Sequence, residues 1–542
     1  MRRKAVVIGL DGATFDIIDP LIEAGHLPNL ERLIKGGCRG RLESTIIPNS
    51  FPGWTSCSTG IGEGNHGIFS PLVRGEDNFS LRPMSAADIR AKTIWEILSE
   101  RGRRVGVIND PCSYPPAPVN GFLISGMLWP GPPCPYSFPE SLQQEIESEV
   151  PGYIVDVDLA DKSKEEIFSQ LRLSIEKRLS AALHFMNSRE WDLFWIVFTE
   201  SDRAQHRFWA DMDRMHPVHS REQAERFGNC IFEIYRELDR CLGEIVNACP
   251  ESAAVFIVSD HGFGPLYSSF DITRWLIDEG FLAQKGEKAL LKRILGKIGL
   301  LEEATLVYRG LKRFRQAEPK YGPDKLQQQS ESIDEIYSDV DWSKTRAYYT
   351  LDNCIRLNLK GREPQGIVEP GSEEKALGAL LKEKLSTLRF PNGKKVFRAV
   401  SLKQEAYCGR AVDLAADLII PIDYGAYRGP ADFAQYVSVE SHNTGEHTPD
   451  GIFIAWGDGI ESGKQIVGAH LRDIASTVLF YLDEPLTEEM EGRALLEAFS
   501  DSFKSNRRIR RSGTSFKDNL PKGADSGDRE KIEEKLRELG YI

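Results

Sequence analysis

The sequence predicts an α/β protein with a central, mostly parallel sheet sandwiched by helices, and with a helical insertion. Two observations carry this prediction. Short, continuous apolar runs recur along the 542 residues, and helical patterns follow them. Apolar residues make up 41% of the chain and charged residues 27%, as in ordinary globular proteins, so a sizeable core can form without disulfide or metal support.

The predicted strands are apolar runs that are too short for buried helices. They lie at 5–10, 105–109, 122–126, 193–198, 253–260, 417–420 and 451–457. Helical patterns fill the intervals, and the one at 94–102 ends at a glycine, a common helix stop. Continuous apolar strands are typical of parallel sheets that are buried on both faces, so we expect these runs to form one largely parallel sheet.

Residues 283–345 break this alternation, because they carry no buried-strand pattern and look helical throughout. Residues 285–320 contain ten Lys and Arg but only four Asp and Glu, so this segment is basic in an otherwise acidic protein. We interpret the segment as an insertion that caps a functional site. A solvated helical hairpin remains the alternative.

The chain therefore divides into four parts: the first part of a core at 1–282, the insertion at 283–345, the second part of the core at 346–490, and a tail at 491–542. Residues 500–527 of the tail are basic and poor in apolar side chains, which predicts a mobile linker. After it, Ile532, Leu536 and Leu539 form one apolar stripe, which predicts a short helix that docks on the body.

Charge and cysteine usage exclude several classes of protein. The net charge is −13, which disfavours a general nucleic-acid binder, since such proteins need a basic face. No run approaches 18 apolar residues, so we expect no transmembrane span, and the short N-terminal apolar run does not fit a signal peptide. Nine scattered cysteines without a CxxC pair predict structural thiols in a reducing compartment, the cytoplasm.

Asp and His residues recur at the ends of the predicted strands, where open α/β sheets bind their ligands. They come from four separate segments and comprise Asp11, Asp202 with His206, Asp260 with His261, and His447. Mixed carboxylate and imidazole ligands suit Zn²⁺ or Mn²⁺ better than Ca²⁺ or Mg²⁺. Six such ligands suffice for two divalent ions, which together form the usual clamp for displacement at phosphorus. Zinc is the expected metal, and manganese is the alternative.

The segment 47–70 is rich in Ser, Thr and Gly, and it offers hydroxyl groups near a predicted helix start. Free N–H groups at such a start favour an anion. The candidate nucleophiles by chemistry are Ser50, Thr55, Ser56, Ser58 and Thr59, and periodicity alone does not choose among them.

Taken together, six short motifs resemble the alkaline phosphatase superfamily, and most closely its type I phosphodiesterase/nucleotide pyrophosphatase branch. The motifs are GLDG (9–12), NSFPGWTSCSTG (49–60), NHGI (65–68), SDRAQH (201–206), SDHGF (259–263) and GEH (445–447). Their order and approximate spacing match the family over residues 5 to about 485, apart from the insertion. The resemblance implies the alkaline-phosphatase-like fold and a metal-dependent phosphoric ester hydrolase.

The resemblance also implies roles for single residues. Aligning the Thr-Gly of the motif makes Ser50 the nucleophile, with Thr55 as runner-up. One metal ion would be held by Asp11, Asp260, His261 and the Ser50 oxygen, and the other by Asp202, His206 and His447. The family carries an Asn shortly after the nucleophile that binds a phosphoryl oxygen. Gly53 occupies that position here, so Asn49 or Asn109 is the candidate for this role.

The expected reaction is hydrolysis of phosphodiester or pyrophosphate bonds in a small phosphorylated substrate, nucleotide-like or another phosphodiester, through a phosphoryl-serine intermediate. A phosphomonoesterase is an alternative, because Arg203 and Arg207 flank a metal motif and could bind the extra charge of a monoester. A phosphotransferase or mutase is another. A sulfatase is disfavoured, since its Cys/Ser-x-Pro-x-Arg motif is absent, and the complete ligand set disfavours a non-catalytic binding protein.

Overall fold

The computed structural model describes residues 2–74, 81–157, 159, 162–285, 337, 339–350, 353–428, 436–439, 443–517 and 526–538. The strands in these ranges are β1 (Lys4–Leu10), β2 (Cys38–Glu43), β3 (Leu72–Arg74), β4 (Leu81–Pro83), β5 (Val105–Asp110), β6 (Gly121–Ser125), β7 (Ser137–Phe138), β8 (Leu193–Phe198), β9 (Ala253–Val258), β10 (Gly262–Pro265), β11 (Ser269–Phe270), β12 (Ala347–Thr350), β13 (Cys354–Leu357), β14 (Ser401–Leu402), β15 (Leu418–Ile419), β16 (Val437–Ser438), β17 (Gly445–Thr448), β18 (Asp450–Gly457) and β19 (Lys464–His470).

The described α-helices alternate with the main strands. They are Phe15–Glu23, Pro28–Gly36, Ser50–Thr59, Glu63–His66, Ile94–Glu100, Leu142–Glu149, Lys164–Ser188, Glu200–Met212, Arg221–Phe227, Cys230–Ala248, Ile272–Asp278, Ser372–Thr387, Lys403–Ala406, Asp473–Tyr481, Asp501–Ser505 and Ser526–Glu538. Within the described ranges, no helix is both long enough and apolar enough to cross a lipid bilayer.

A nine-stranded sheet forms the centre of the molecule, in the order β19-β2-β18-β9-β1-β8-β5-β6-β7. The five strands from β9 to β6 are parallel neighbours. β18 runs antiparallel to both β9 and β2, β19 is parallel to β2, and β7 is antiparallel to β6. The predicted α/β class with a mostly parallel, helix-flanked sheet is therefore confirmed.

The four inner strands β5, β8, β9 and β1 explain why the sequence pattern is continuous rather than alternating. Every residue of β5, β8 and β9 is buried, and in β1 only Lys4 is partly exposed. Val7 of β1 pairs with Trp195 on one side and Phe256 on the other. Because helices pack against the sheet, both faces of these strands are removed from water, so both sets of side chains are apolar.

A second, smaller lobe lies between Phe270 and Val437 and has its own apolar core. It is built on the four-stranded antiparallel sheet β12-β13-β15-β14 and on the helix Ser372–Thr387. The apolar run at 417–420 supplies β15 of this sheet, so its expected place in the main sheet is wrong. Such a run is buried in either sheet, and its composition therefore does not distinguish them. We call the two units the main lobe and the second lobe.

The predicted four-part division of the chain stays a prediction, and the described residues group as follows. Of the expected second core, the described apolar residues from Ala347 to Val437 include most of the second lobe's core, and β18 and β19 return to the main sheet. Of the predicted insertion 283–345, residues 286–336 and 338 lie outside the described residues. Its ends attach to the second lobe, where Gln284 forms a β-bridge with Val340.

The first part of the predicted linker packs on the main lobe. Phe503 is 6% exposed in the main core, and Arg511 donates from Nη1 to the carbonyl oxygens of Thr487 and Met490 at 2.9 and 3.0 Å. The tail up to residue 517 is therefore held by the body. The predicted C-terminal helix is present as Ser526–Glu538, with Ile532 and Leu536 each 1% exposed, whereas Leu539 lies outside the described residues.

Candidate active site

The topology brings the predicted site residues to one edge of the main sheet. Asp11 follows β1, Asp202 lies just after β8, and Asp260 follows β9, so the carboxyl ends of three adjacent parallel strands each deliver a carboxylate. His447 lies on β17, immediately before β18. Because β18 runs antiparallel to β9, its beginning lies at this same edge.

Asp202, His206 and His447 form the first group of converging ligand atoms. Nε2 of His447 lies 3.1 Å from Oδ1 of Asp202 and 3.0 Å from Nε2 of His206. Nε2 of His206 lies 3.5 Å from Oδ1 of Asp202. Tetrahedral ligands of one zinc ion at bond lengths of about 2.0–2.1 Å are themselves about 3.4 Å apart. The three atoms therefore have the spacing of ligands to one ion.

The second group contains Ser50, Asp11, Asp260 and His261. Oγ of Ser50 lies 3.2 Å from Nε2 of His261 and 3.3 Å from Oδ1 of Asp11. Nε2 of His261 lies 3.6 Å from Oδ1 of Asp11 and 3.1 Å from Oδ2 of Asp260. Asp202 connects the two groups, since its Oδ1 is 4.0 Å from Nε2 of His261.

The three histidines are held in the same way by the backbone. In each ring, Nδ1 faces a carbonyl oxygen, so we place a proton on Nδ1, and Nε2 is the nitrogen directed into the cluster. The acceptors are Gly445 O for His206 at 2.9 Å, Gly262 O for His261 at 3.0 Å and Pro48 O for His447 at 3.2 Å. Metal-ligating histidines are commonly oriented by such second contacts.

Electrostatics show that the cluster requires positive charge. Asp11, Asp202 and Asp260 are each 0% exposed. Burial, with repulsion from Asp260 and Asp202, raises the pKa of Asp11 well above its ordinary value. Burial opposes protonation of His261, but attraction to Asp260, Asp11 and Asp202 outweighs it and raises the pKa of His261 to about 10. Oδ2 of Asp260 lies 3.1 Å from Nε2 of His261, but it accepts no well-aligned hydrogen bond within the described chain. Carboxylates this deeply buried are stable only when paired or when they coordinate a cation.

The helix Ser50–Thr59 positions the candidate nucleophile at its first residue. Asn49 caps the helix, since its side-chain oxygen accepts a hydrogen bond from Phe51 N at 3.1 Å. Gly60 ends the helix in the left-handed conformation, with φ of 71°. Thr55 lies one turn further along, and its hydroxyl donates to the carbonyl oxygen of Phe51 at 2.7 Å. The structure therefore brings Ser50 to the cluster, while the Thr55 hydroxyl is bonded within its own helix.

The two candidate phosphate-binding amides differ in what they contact. Asn49 is partly exposed beside Ser50, and its Nδ2 donates no hydrogen bond in the described part of the chain. Asn109 is 1% exposed, and both the nitrogen and the oxygen of its side-chain amide form hydrogen bonds. Its Nδ2 donates to the carbonyl oxygens of Ser125 and Val155, and its Oδ1 accepts from the hydroxyl of Tyr153. Asn49 is thus the candidate with a free donor.

Sequence reasoning missed the side-chain and backbone groups that orient the ligands. Trp54 is 0% exposed and donates from Nε1 to Oδ2 of Asp11 at 2.9 Å. Ser44 donates to the carbonyl oxygen of Asp260 at 2.6 Å. Gly12 N donates to Oδ1 of Asp260 at 3.2 Å from a left-handed backbone with φ of 64°. None of these residues carries a sequence signal for the role, because each acts through a contact that only the fold creates.

Three buried residues in or next to the motifs take structural positions. His66 is fully buried, its Nδ1 accepts from Ile68 N, and its Nε2 contacts Ser56 Oγ at 3.0 Å. Burial lowers the pKa of His66 to about 3. Phe208 is 0% exposed in the main core, and Trp209 stacks on Phe263. These aromatic residues are therefore packing elements.

Arg203 is 1% exposed, and its contacts are with buried carboxylates. Its Nη1 lies 3.5 Å from Oδ2 of Asp202, and its Nη2 lies 3.8 Å from Oδ2 of Asp156. The guanidinium thus supports a candidate metal ligand. Arg207 is 6% exposed, and burial lowers its pKa.

The chain was compared with protein families, with proteins of curated function and with solved structures. The sequence model of the family described as type I phosphodiesterase / nucleotide pyrophosphatase matches residues 5–429. No protein of curated function is similar in sequence. Among solved structures, phosphonoacetate hydrolase from Sinorhizobium meliloti 1021, in complex with phosphonoacetate, aligns with a TM-score of 0.49 at 13% identity, over 89% of this chain and 96% of that chain. An inactive variant of murine ectonucleotide pyrophosphatase / phosphodiesterase 5, in complex with AMP, aligns with a TM-score of 0.48 at 13% identity, over 89% and 95%.

Proposed function

This chain belongs to the type I phosphodiesterase / nucleotide pyrophosphatase family and is a phosphoester hydrolase, and from that premise we propose that it cleaves phosphodiester or pyrophosphate bonds in small phosphorylated molecules. In this proposal Ser50 is the nucleophile, and two divalent cations occupy the cluster of Asp and His side chains. The observation that carries the proposal is the placement of Ser50 Oγ, at the first residue of a helix and 3.2 Å from His261 Nε2.

The residues present fit two cations. Asp11, Asp260, His261 and the Ser50 oxygen would hold one ion, and Asp202, His206 and His447 would hold the other. Three imidazoles with backbone-fixed Nδ1 atoms favour zinc, with manganese as the alternative. When bound, such cations lower the pKa of a coordinated hydroxyl and stabilise charge on a phosphoryl oxygen.

The chain's own residues then act as follows. Ser50 Oγ attacks phosphorus, the Ser50 O–P bond forms, and the bond to the leaving group breaks; the leaving oxygen takes up the proton that Ser50 releases. Asn49 donates its free amide hydrogen to a phosphoryl oxygen, where negative charge grows. Water subsequently attacks phosphorus, breaks the Ser50 O–P bond and regenerates the hydroxyl.

Two other reactions remain as second candidates. A phosphomonoesterase needs an extra cation for the second negative charge of its substrate. Arg203 already lies against Asp202 and Asp156, which favours the diester reaction. A phosphotransferase or mutase would use the same Ser50 ester but pass the phosphoryl group to an acceptor other than water.

Hydrolysis of bis(p-nitrophenyl) phosphate and p-nitrophenyl phosphate by the zinc-reconstituted chain tests the proposal. We expect two zinc ions per chain by elemental analysis, and a higher kcat/KM for the diester. Less than one equivalent of metal after reconstitution would contradict the two-cation site, and a higher kcat/KM for the monoester would make the protein a phosphomonoesterase. Transfer of the phosphoryl group to added alcohol in excess of hydrolysis would support a phosphotransferase.

We also propose that the protein works in a reducing compartment, the cytoplasm. The proposal is supported by its cysteines, all nine of which are free thiols, six of them buried. Fractionation of cells that express the protein tests this, and recovery from the extracellular fraction would contradict it.

A further inference from the structure

A cavity of about 100 Å³ lies between the main lobe and the second lobe. On the main-lobe side, Phe69, Leu72 and Arg74 line it, and on the second-lobe side the lining includes Arg356 and Leu414. None of the seven proposed nucleophile and metal-ligand residues contributes to the lining. The cavity is therefore separate from the Ser50 cluster.

Arg356 is the unusual residue of this cavity. It is 8% exposed, and its guanidinium makes one hydrogen bond, from Nη2 to the carbonyl oxygen of Leu414 at 2.6 Å. In the parts of the chain that the structure describes, no carboxylate forms an ion pair with it. Burial, together with the nearby charge of Arg74, lowers the pKa of Arg356. An unpaired buried cation is costly, so this arrangement needs a partner of opposite charge.

The neighbouring charges do not supply that partner. Arg74 is bound by Glu363, through contacts of 3.0 Å from both Nη1 and Nη2. Arg362 and Lys403 share the other nearby carboxylate, Asp417, at 2.6 and 3.4 Å. Both acids are thus engaged by other cations, and among the residues that the structure describes the positive charge of Arg356 remains in excess.

The rest of the lining shows what kind of anion fits. Phe69, Leu72, Leu414 and Ile419 are apolar, while Thr350 adds a hydroxyl group. An engineered apolar cavity of about 150 Å³ holds benzene, so about 100 Å³ holds roughly four to six non-hydrogen atoms. A bare inorganic anion would leave the apolar wall without contacts.

We propose that this cavity binds a small organic oxyanion, a carboxylate or phosphonate-like group on a short alkyl chain, with its charge paired to Arg356 and its alkyl part against Phe69 and Leu72. The site does not depend on the hydrolase reaction. A carboxylate and a phosphonate both present oxygens to which a guanidinium can donate two hydrogen bonds. The carboxylate oxygens are planar, and the phosphonate oxygens are tetrahedral.

Isothermal titration of the full-length, metal-loaded protein with butyrate, ethylphosphonate and 1-butanol tests the proposal. We expect saturable binding of at least one oxyanion, and at least tenfold weaker binding of the neutral alcohol. Arg356→Met keeps the bulk of the side chain but removes its charge, and should weaken oxyanion binding at least tenfold. Binding of butyrate alone would identify a carboxylate site, and binding of ethylphosphonate alone a phosphorus oxyanion site.

Arg346→Met is the matched control, since Arg346 pairs with Glu373 in the same lobe and does not line the cavity. It should leave oxyanion binding unchanged. Leu414→Trp fills the cavity from a position that is 41% exposed, and should abolish binding while it keeps the backbone carbonyl group that Arg356 contacts. Absence of saturable binding, equal binding of 1-butanol, or binding that survives both Arg356→Met and Leu414→Trp would overturn the proposal. If ethylphosphonate bound only at the metal ions, its binding would survive both Arg356→Met and Leu414→Trp, and the proposal would be overturned.

Discussion

At the scale of single residues, two hydroxyl groups of one helix compete for the role of nucleophile. The Ser50 hydroxyl contacts His261 and Asp11, while the Thr55 hydroxyl donates to a carbonyl oxygen of its own helix. A hydroxyl that reacts must approach both the ligand cluster and the phosphorus atom. The geometry therefore favours Ser50, in agreement with the motif register.

Replacing Ser50 by Ala should lower kcat for an aryl phosphodiester by about four to six orders of magnitude, the scale observed when a covalent nucleophile is lost. Thr55→Val preserves side-chain volume and should change kcat by less than about tenfold. Steady-state kinetics of both variants with matched zinc content provides the measurement. The reverse result, with an inactive Thr55 variant and an active Ser50 variant, would assign the reaction to Thr55.

Asn49 combines two functions that a substitution can separate. Asn49→Ser retains a good helix cap but removes the amide donor. We expect kcat/KM to fall about 10²-fold, the usual effect of losing one donor to a developing oxyanion, with little change in thermal stability. Kinetics and a thermal melt on the same sample check this, and wild-type kcat/KM in Asn49→Ser would remove Asn49 from the mechanism.

Trp54 positions Asp11 through one buried hydrogen bond, so Trp54→Phe should weaken zinc binding. Contacts of this kind to a ligand typically contribute 10- to 100-fold in metal affinity. Trp195→Phe is the matched control, because Trp195 Nε1 donates to the buried Asp110 at 3.2 Å and does not touch a proposed ligand. A competition titration with a chelator should show a loss of affinity in the Trp54 variant alone; equal affinities in the two variants would contradict the positioning role.

At the scale of elements, the C-terminal helix Ser526–Glu538 links the end of the chain to the site. Lys535 Nζ lies 3.2 Å from Oδ2 of Asp156, which in turn lies 3.8 Å from Arg203 Nη2. Arg203 lies against Asp202, a proposed metal ligand. The helix thus completes a buried sequence of alternating charges that ends at the cluster.

Leu536→Ala should destabilise the protein by about 2–5 kcal/mol, because Leu536 is 1% exposed in the main core. Leu380→Ala is the control on another helix, where the side chain is 39% exposed, and should cost less than about 0.5 kcal/mol. Urea denaturation compares the two. If both variants had the same free energy of unfolding, the C-terminal helix would not be docked in solution.

The elements that sequence reasoning found and missed differ in burial. β1, β5, β8 and β9 are buried on both faces, and their continuous apolar runs were predictable. β2 has the sequence CRGRLE, with alternating buried and exposed residues and two arginines, so it lacks such a run. Its place in the sheet is set by pairing with β18 and β19, a tertiary constraint that local patterns do not record.

At the scale of the whole molecule, the candidate ligands were predictable because strand ends in an α/β sheet meet at one edge. The positions of Asp11, Asp202 and Asp260 follow from the order of β1, β8 and β9. The second lobe was not predictable as a separate unit, because its strands are only two to four residues long and show no periodic pattern. The capping role expected for residues 283–345 stays a prediction.

Stability of the whole chain should depend on the protonation of His66. Its pKa is about 3 in the folded protein against an ordinary value of about 6.5, so between these pH values the unfolded state binds the extra proton. The neutral His66 imidazole therefore contributes its full stabilisation above about pH 6.5. Below that pH the free energy of unfolding falls by up to about 1.4 kcal/mol per pH unit.

His66→Asn keeps an acceptor for Ile68 N but does not titrate. Urea denaturation between pH 4.5 and 7.5 should therefore show a smaller loss of stability on acidification for the variant than for the wild type. Parallel curves for the two proteins would contradict a neutral, buried imidazole at position 66.

The insertion of β18 between β2 and β9 has a consequence for synthesis on the ribosome. β2, which leads into Ser50, pairs with β18 and β19 and with no earlier strand. Pro48 and its partner His447 are 399 residues apart, an interval that takes about 20–80 s at usual rates of translation. The nascent chain can thus assemble β9, β1, β8 and β5 before β18 and β19 are synthesised. During this interval β2, which leads into Ser50, has no strand to pair with. Catalytic competence consequently arrives only after β17, β18 and β19, residues 445–470, have left the exit tunnel.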